Sequence, residues 1–296
     1  MDFIEFSDAL IEILNVLVEK DITLSITTNI KNNGMEVKGV IFKKKDINIA
    51  PTIYLERFFD EYRNGVELED IAQRIMAIYK ENVIEQNVSF ESYTNYDKAK
   101  TSLFIRIINF EQNKERLKKV PYRRYLDLAI VVYYCIDIKP FNNATVLVLD
   151  EHIKSWKKDK EEVIDDAMEN TRKNMKCVFK PMGELLGGTD VPENMRRVLY
   201  SNEITMNVVT NARQFYGSVF MVMRSKLDEF YEELGEDYLI IPSSVHELIL
   251  IPKSKCDDVS VINEMIKEVN ANCVPIDEVL SDHCYEYVKG EEALIF

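Results

Sequence analysis

The alternation of hydrophobic and polar positions is most informative in residues 206–253, and the rest of the chain is interpreted around this segment. Four short apolar runs rich in Val and Ile lie here, bounded by Gly, Pro, Asn and Ser, as is typical of strands. They are residues 207–210, 218–223, 238–241 and 248–251. The last run does not alternate, and a strand that is apolar on both sides is covered on both faces. We therefore predict a central hairpin of residues 238–241 and 248–251 in a sheet covered by helices.

Helical spacing appears between the second and third of these runs. Apolar residues recur there every three or four positions, at Leu227, Phe230, Tyr231 and Leu234. Gly235 follows them, and glycine is common just beyond the C-terminus of a helix. This segment predicts an amphipathic helix that packs on the sheet.

The first part of the chain predicts a smaller unit. Residues 3–17 have the apolar spacing of an amphipathic helix. Alternating apolar residues then flank the turn Asn32-Asn33-Gly34, whose residues tolerate positive φ, so we expect a hairpin with one buried face. Two further amphipathic helices are predicted over residues 51–79.

The larger remainder of the chain predicts a second sheet-containing region. Apolar runs at residues 103–108, 126–136 and 145–149 are typical of strands, and residues 157–174 predict a charged surface helix. The polar stretch at residues 87–96 is the candidate boundary. We therefore predict an α+β (mixed α/β) protein. A small helix-and-hairpin unit occupies residues 1–90, and a larger domain with a mainly antiparallel or mixed sheet covered by helices occupies residues 91–296. One continuous globule is the alternative.

Composition narrows the class of protein. The net charge of −14 opposes binding to nucleic acid phosphates and to anionic membrane surfaces. No apolar run is long enough to span a membrane, and the acidic, amphipathic N-terminus is unlike a secretory signal. The five cysteines are odd in number and widely spaced, which argues against a disulfide framework. We expect a cytoplasmic protein.

Several stretches together resemble DUF5688, a bacterial family of unknown function. Its characteristic part runs from Tyr216-Gly217 to His246-Glu247. The stretches are AIVVYYCI, TNARQFYGSVFMVMRSKLDEFYEELGEDYLIIPSSVHELILIP and NIAPTIYLERFFDEYRNGVELEDIAQRIM. The resemblance implies one continuous bacterial cytoplasmic chain, and it carries no established activity.

Metal and cofactor sites are not predicted. A zinc site requires about four His, Cys or carboxylate ligands, and the chain has only the histidines His152, His246 and His283, without C-x-x-C or H-E-x-x-H spacing. The glycines Gly183, Gly187 and Gly188 lack the lysine of a phosphate-binding loop, so a plain loop is the favoured interpretation. We predict no metal and no cofactor.

Residues 242–247 and 213–217 form the candidate site. Two hydroxyl groups, an imidazole and a carboxylate lie within five positions of each other, in a loop that joins two buried strands, and binding residues gather on such loops. The candidate ligand-binding residues are Arg213, Tyr216, Ser243, Ser244, His246 and Glu247. The competing interpretation is that the serines shape the turn and that Arg213 is solvated. The sequence does not determine whether the two segments lie at the same end of the sheet.

The function favoured by the sequence is a non-enzymatic protein that binds a partner protein or a small ligand, since no catalytic signature is present. The first alternative is a hydrolase-like enzyme with its site near residues 242–247. The second is a nucleic-acid-associated protein using the basic cluster at residues 114–125, where cations are interleaved with Tyr122 and Tyr125. The acidic balance of the whole chain makes this nucleic-acid role unfavourable.

Overall fold

The computed structural model of the chain describes residues 1–83, 87, 91–138, 141–186 and 206–296. The chain divides into two compact units, Met1–Glu91 and Ser92–Phe296. Both combine helices with antiparallel sheets, which confirms the predicted α+β class. Across the described part of the chain, no helix is both long enough and apolar enough to cross a membrane.

The N-terminal unit packs helices on a three-stranded sheet in the order β1-β2-β3. The elements are α1 (Phe3–Leu17), β1 (Ile22–Ile30), β2 (Glu36–Lys44), β3 (Thr52–Tyr54), α2 (Glu56–Arg63) and α3 (Leu68–Asn82). The predicted hairpin forms from β1 and β2, and Asn33 adopts a φ of 57° in its turn. The start of α2 differs from the prediction, because the β-branched and aromatic residues of β3 pair with β2 before the helix begins.

In the C-terminal unit, β6 is the central strand of a four-stranded antiparallel sheet. β4 pairs along one edge of β6, and β5 and β7 pair in succession along the other. The strands are β4 (Leu103–Asn109), β5 (Tyr122–Tyr125), β6 (Leu128–Ile138) and β7 (Phe141–Leu147). Short helices α4 (Glu91–Thr94), α5 (Tyr96–Ala99) and α6 (Lys114–Leu117) precede β5, and α7 (Asp150–Trp156) and α8 (Lys160–Asn174) follow β7.

The two faces of β4 have different surroundings. Leu103, Ile105 and Ile107 point into the main core, and the backbone N–H of Ile105 donates to the hydroxyl of Thr171 on α8 at 2.9 Å. Because side chains alternate along a strand, Phe104 and Arg106 lie on the opposite face. That face carries the candidate site described below.

The second sheet of this unit has five antiparallel strands in the order β12-β10-β11-β9-β8. The strands are β8 (Cys177–Pro181), β9 (Asn207–Asn211), β10 (Tyr238–Ile241), β11 (Leu248–Pro252) and β12 (Tyr285–Tyr287), accompanied by helices α9 (Met182–Leu186), α10 (Arg224–Leu234) and α11 (Val259–Asn272). β10 and β11 form the predicted hairpin, with Ile240 opposite Leu250. Both faces are covered, since Leu250 packs in the main core and Leu239 packs beside Ile266 of α11.

The prediction of a strand at residues 218–223 is wrong. Residues Gly217–Val222 form a 3₁₀ helix in which residues 217–221 are buried. A short, uniformly apolar run has the same hydrophobic pattern in a buried strand and in a buried helical turn. Tertiary contacts decide between them here, because the hydroxyl of Ser218 donates to the carbonyl oxygen of Val245 at 2.6 Å and holds the turn against the loop before β11.

Candidate functional site

The structure brings the two predicted segments together at one end of the five-stranded sheet. β9 and β11 are antiparallel neighbours, so the residues that follow β9 meet those that precede β11. The carbonyl oxygen of His246 accepts hydrogen bonds from the backbone N–H of Gly217 and the hydroxyl of Thr210, both at 2.9 Å. Residues 213–217 and 242–247, which are about thirty residues apart in the chain, thus form one rigid unit at this end of the sheet, which we call the corner.

Tyr216 and His246 are the centre of this corner. Tyr216 has a φ of 57°, an uncommon backbone conformation for a residue other than glycine. Its backbone N–H donates to Nδ1 of His246 at 3.2 Å, and the two rings stack nearly parallel with centroids 5.5 Å apart. Phe215 packs on the same imidazole at 5.3 Å. Such backbone strain persists only where the surroundings hold it, and it is often found at binding sites.

The environment of His246 favours its neutral form. Burial lowers the pKa of His246, whereas Glu278, whose Oε1 lies 3.7 Å from Nε2, acts in the opposite direction. Arg106 contributes to the lowering. Because Nδ1 accepts a hydrogen bond, the neutral ring carries its proton on Nε2, on the side of Glu278.

We expect the neutral His246 to make the stability of the C-terminal unit depend on pH. As the pH falls below the ordinary value of 6.5, the unfolded chain binds the proton first, so the free energy of unfolding decreases. In His246→Asn, an amide oxygen can replace Nδ1 as the acceptor without titrating. The stability difference between the wild type and this variant should fall by at most about 1.4 kcal/mol per pH unit below 6.5.

Urea denaturation between about pH 7.5 and about pH 5.5 measures this difference. Comparison with the variant at each pH removes the contributions of other groups. A difference that grows in favour of the wild type as the pH falls would show that Glu278 dominates and that the pKa of His246 is raised.

The serines of the predicted site have local roles. The hydroxyl of Ser244 accepts a hydrogen bond from the backbone N–H of His246 at 3.0 Å, and Ser243 donates to Glu247 at 3.4 Å. Neither hydroxyl is hydrogen-bonded to the imidazole of His246, although all of these residues are described. The loop therefore lacks the nucleophile–base contact that the hydrolase alternative requires.

Arg213 lies at a different feature, a cavity of about 800 Å³ between the two sheets of the C-terminal unit. We call it the Arg213 cavity. One wall comes from β4, β6 and β7. The other comes from the end of α8 with the two residues that precede β8, and from the end of β9 with the segment that follows it. Its lining residues include Phe104, Tyr133, Thr145, Lys176, Arg213 and Phe215. Phe215 connects it to the corner, since its ring packs 3.8 Å from that of Tyr216.

Two arginines that the candidate list did not contain approach Tyr216. Nη1 of Arg106, on β4, donates to the Tyr216 hydroxyl at 2.6 Å. Arg116, on α6, is half-buried: burial lowers its pKa, the charge of Arg106 lowers it further, and Tyr216 acts in the opposite direction. Nε of Arg106 and Nη1 of Arg116 are buried and have no hydrogen-bond partner in the part of the chain that the structure describes. A buried donor without an acceptor costs about 1–3 kcal/mol, and more when it is charged.

Three of the five other cations of the basic cluster have acidic partners. Lys114 pairs with Glu111, Lys118 pairs with Glu115, and Arg123 pairs with Glu161 and Asp165 on α8. Arg124 lies over the ring of Phe110 at 3.6 Å. These pairs reduce the positive charge that could face a nucleic acid backbone. Arg116, in contrast, makes no ion pair with any carboxylate in the described ranges.

A second cluster of hydrogen-bonded polar side chains lies around Asp127, and it was not predicted from the sequence. Asp127 lies in the turn between β5 and β6 and contacts Nε2 of His283 at 3.1 Å and the hydroxyl of Tyr285 at 2.7 Å. Burial acts to raise the pKa of Asp127, but these hydrogen bonds hold it below its ordinary value. The bond to Asp127 raises the pKa of His283, whose Nδ1 faces the carbonyl oxygen of Cys284 at 3.0 Å. An oxygen at each ring nitrogen favours the charged form of this imidazole, which is less suited to act as a base.

The remaining candidates for chemistry do not converge. His152 contacts Tyr93 at 2.7 Å, so the three histidines have separate partners. Within the part of the chain that the structure describes, no group of three or more His, Cys, Asp or Glu side chains is placed to hold a metal ion. Gly187 and Gly188 lie outside the described residues.

The comparisons with known proteins give one match. Residues 3–289 match DUF5688, described as a family of unknown function. No curated protein and no solved structure matched the chain. We therefore infer the function from the geometry of the C-terminal unit.

Proposed function

This chain belongs to DUF5688, a family of unknown function, and we propose that its C-terminal unit binds a small anionic molecule in the Arg213 cavity. The charge of the lining carries this proposal. The protein has a net charge of −14, yet the described lining contains Lys176 and Arg213 and no carboxylate. Neither cation makes an ion pair in the described ranges. A cationic cavity in an otherwise acidic protein attracts negatively charged ligands, which the rest of the protein repels.

The size and walls of the cavity are suited to a small organic molecule. Ligand pockets of about 300–1,000 Å³ are lined mostly by apolar and aromatic groups with a few polar groups that orient the ligand. Phe104, Tyr133 and Phe215 supply aromatic surface, and Thr145 supplies a hydroxyl. Tyr133 is buried in this wall, and the positive charges of Arg106 and Arg213 act on its hydroxyl.

This proposal favours the small-ligand form of the binding function over its alternatives. The ion pairs of the basic cluster and the separation of Ser243 and Ser244 from the imidazole of His246 weigh against a nucleic-acid or hydrolase role. The ligand is proposed to be a cytoplasmic metabolite, on the grounds of the acidic composition and of the odd number and wide spacing of the cysteines, which argue against a disulfide framework. Tyr216 and His246 then act as the rigid support behind Phe215.

Thermal unfolding of the full chain tests the proposal. The probes are adenosine monophosphate, glucose 6-phosphate and citrate, with adenosine and glucose as uncharged counterparts. We expect at least one charged probe to raise the unfolding temperature in a saturable way, because a ligand at a hundred times its Kd stabilises by about 2.7 kcal/mol. The uncharged counterparts should have a smaller effect.

The variant Lys176→Ala with Arg213→Ala should weaken this binding at least about tenfold, which corresponds to about 1.4 kcal/mol. Lys180→Ala is the matched control, because Lys180 is an exposed lysine of β8 outside the lining. Equal responses of the double variant and the control, or equal responses to the charged and uncharged probes, would contradict the proposal.

A further inference from the structure

We propose that Arg106, Arg116 and the hydroxyl of Tyr216 form a binding site for a phosphate-type oxyanion. This site is distinct from the binding site proposed in the Arg213 cavity. It requires only a compact group with two negative charges, and it is formed by other residues. The proposal depends on three observations: the position of the two guanidinium groups, their missing partners and their access to solvent.

The position of the two arginines is set by separate elements. Arg106 lies on β4, on the face that does not enter the main core, and Arg116 lies on α6. Nη1 of Arg106 is 2.6 Å from the Tyr216 hydroxyl, and its Cζ is 4.9 Å from the centroid of the Tyr216 ring. Arg116 interacts electrostatically with both Arg106 and Tyr216. Two positive charges and one hydroxyl therefore converge from three segments of the chain.

The missing carboxylate partners of the two arginines indicate that the site has room for an anion. No carboxylate in the described ranges forms an ion pair with Arg106 or Arg116, whereas Arg123 in the same basic cluster has two such partners. Nε of Arg106 and Nη1 of Arg116 are buried and find no acceptor among the described residues. Like charges that are partly desolvated repel each other, and an anion between them removes the repulsion and supplies the acceptors.

The chemistry of the guanidinium group selects the ligand class. Each arginine presents a planar fork of donors that matches two oxygens of a phosphate group, and a tetrahedral dianion has oxygens for both forks. The Tyr216 hydroxyl receives the hydrogen bond from Arg106 and can donate its own proton to a third oxygen. Arg106 and Arg116 are both partly exposed residues, so a small anion can reach them from solvent.

The test is a titration of the full chain with sodium phosphate and sodium sulfate at constant ionic strength, followed by thermal unfolding. We expect a saturable rise of the unfolding temperature with both anions and not with chloride. Arg116→Met keeps the unbranched stem of the side chain and removes the guanidinium group with its charge, so apparent affinity should fall about ten- to a hundredfold. Lys119→Met is the matched control, because Lys119 is exposed and lies three residues away in the same segment.

The stability of the variants without added anion is a second readout. Removing one of two repelling charges should leave Arg116→Met at least as stable as Lys119→Met in chloride buffer, which also shows that the variant folds. General stabilisation by sulfate and phosphate affects every variant equally and does not saturate.

Two outcomes would overturn the inference. The first is an equal response to phosphate in Arg116→Met and Lys119→Met. The second is a loss of the phosphate response in the Lys176→Ala, Arg213→Ala variant with retention in Arg116→Met, which would assign the anion to the Arg213 cavity. A saturable response that depends on Arg116 supports the oxyanion site even where every organic probe of the cavity fails, so the two proposals are tested separately.

Discussion

Replacing Leu250 with alanine is expected to lower the free energy of unfolding of the C-terminal unit by about 2–5 kcal/mol. Leu250 is fully buried on β11, between β9 and β10, and it packs in the main core. The substitution removes buried apolar atoms and leaves a cavity, since strands paired on both sides restrict how far the backbone can collapse.

Trp156 makes this measurement specific to one unit. It is the chain's single tryptophan and is buried in the same core as Leu250, so its fluorescence in urea reports unfolding of the C-terminal unit. Val261→Ala is the control, because Val261 is 64% exposed on α11 and its truncation should change stability by less than about 0.5 kcal/mol. Equal midpoints for the two variants would show that β11 is not the buried strand described above.

Gly217→Ala is expected to destabilise the C-terminal unit by about 3 kcal/mol, the upper part of the range for overpacking. A Cβ atom at this position would lie 2.6 Å from the carbonyl oxygen of His246 and 2.6 Å from Cα of Thr210. Both neighbours are backbone atoms, so no side chain can rotate away. The two segments of the corner would have to separate, and the hydrogen bond from Gly217 to His246 would lengthen.

Gly235→Ala is the control for the destabilisation expected of Gly217→Ala. Gly235 has a φ of 79° after α10, and a Cβ there would meet nothing within 4 Å. Its cost is backbone strain alone, about 1–2 kcal/mol. If tight packing holds Gly217 in place, Gly217→Ala will have the lower urea midpoint. It should also alter the pH dependence due to His246, which Gly235→Ala should leave unchanged. A lower urea midpoint for Gly235→Ala than for Gly217→Ala would mean that the corner accommodates the added Cβ atom with little loss of stability.

Leu250→Ala and Gly217→Ala are both expected to affect the two proposed binding sites indirectly, through the strand and the corner that hold their residues in place. β11 leads directly from the loop that carries His246, and Gly217 permits the close approach that places Tyr216 against that imidazole. Tyr216 then contacts Arg106 and Phe215, which belong to the oxyanion site and to the Arg213 cavity respectively. A variant that loosens the corner should therefore weaken binding at both places.

Local patterns in the sequence were sufficient for much of the fold. The non-alternating apolar run at residues 248–251 predicted a strand covered on both faces, because the number of buried faces is set by how apolar positions repeat along the strand. Asn33 predicted its turn for a similarly local reason, since few residues tolerate positive φ. The run at residues 218–223 was assigned wrongly because a short apolar segment has the same pattern in either state.

The candidate site depended much more on tertiary structure. The sequence alone identified Tyr216 and His246 as polar groups in breaks between strands, and Arg213 with them. It also contained a signal that the prediction did not use: Arg106 is a lone charge inside the apolar run at residues 103–108. Nothing local, however, indicated that Arg106 would contact Tyr216, which is 110 residues away.

By itself, the sequence determined most of the strands and helices, with residues 52–54 and 218–223 as exceptions, which faces are apolar, and that the chain is acidic, because these properties depend mainly on neighbours a few positions apart. Only the tertiary structure decided that residues 213–217 and 242–247 share one end of a sheet and that Arg213 lines a cavity. It also decided that Arg106 and Arg116 interact with each other and with Tyr216, and that neither forms an ion pair with a carboxylate in the described ranges. The physical reason is that hydrophobic burial is nearly non-directional. The pairing of β9 with β11 and the packing of the two sheets then select the partner of each face, and no periodicity along the chain encodes that choice.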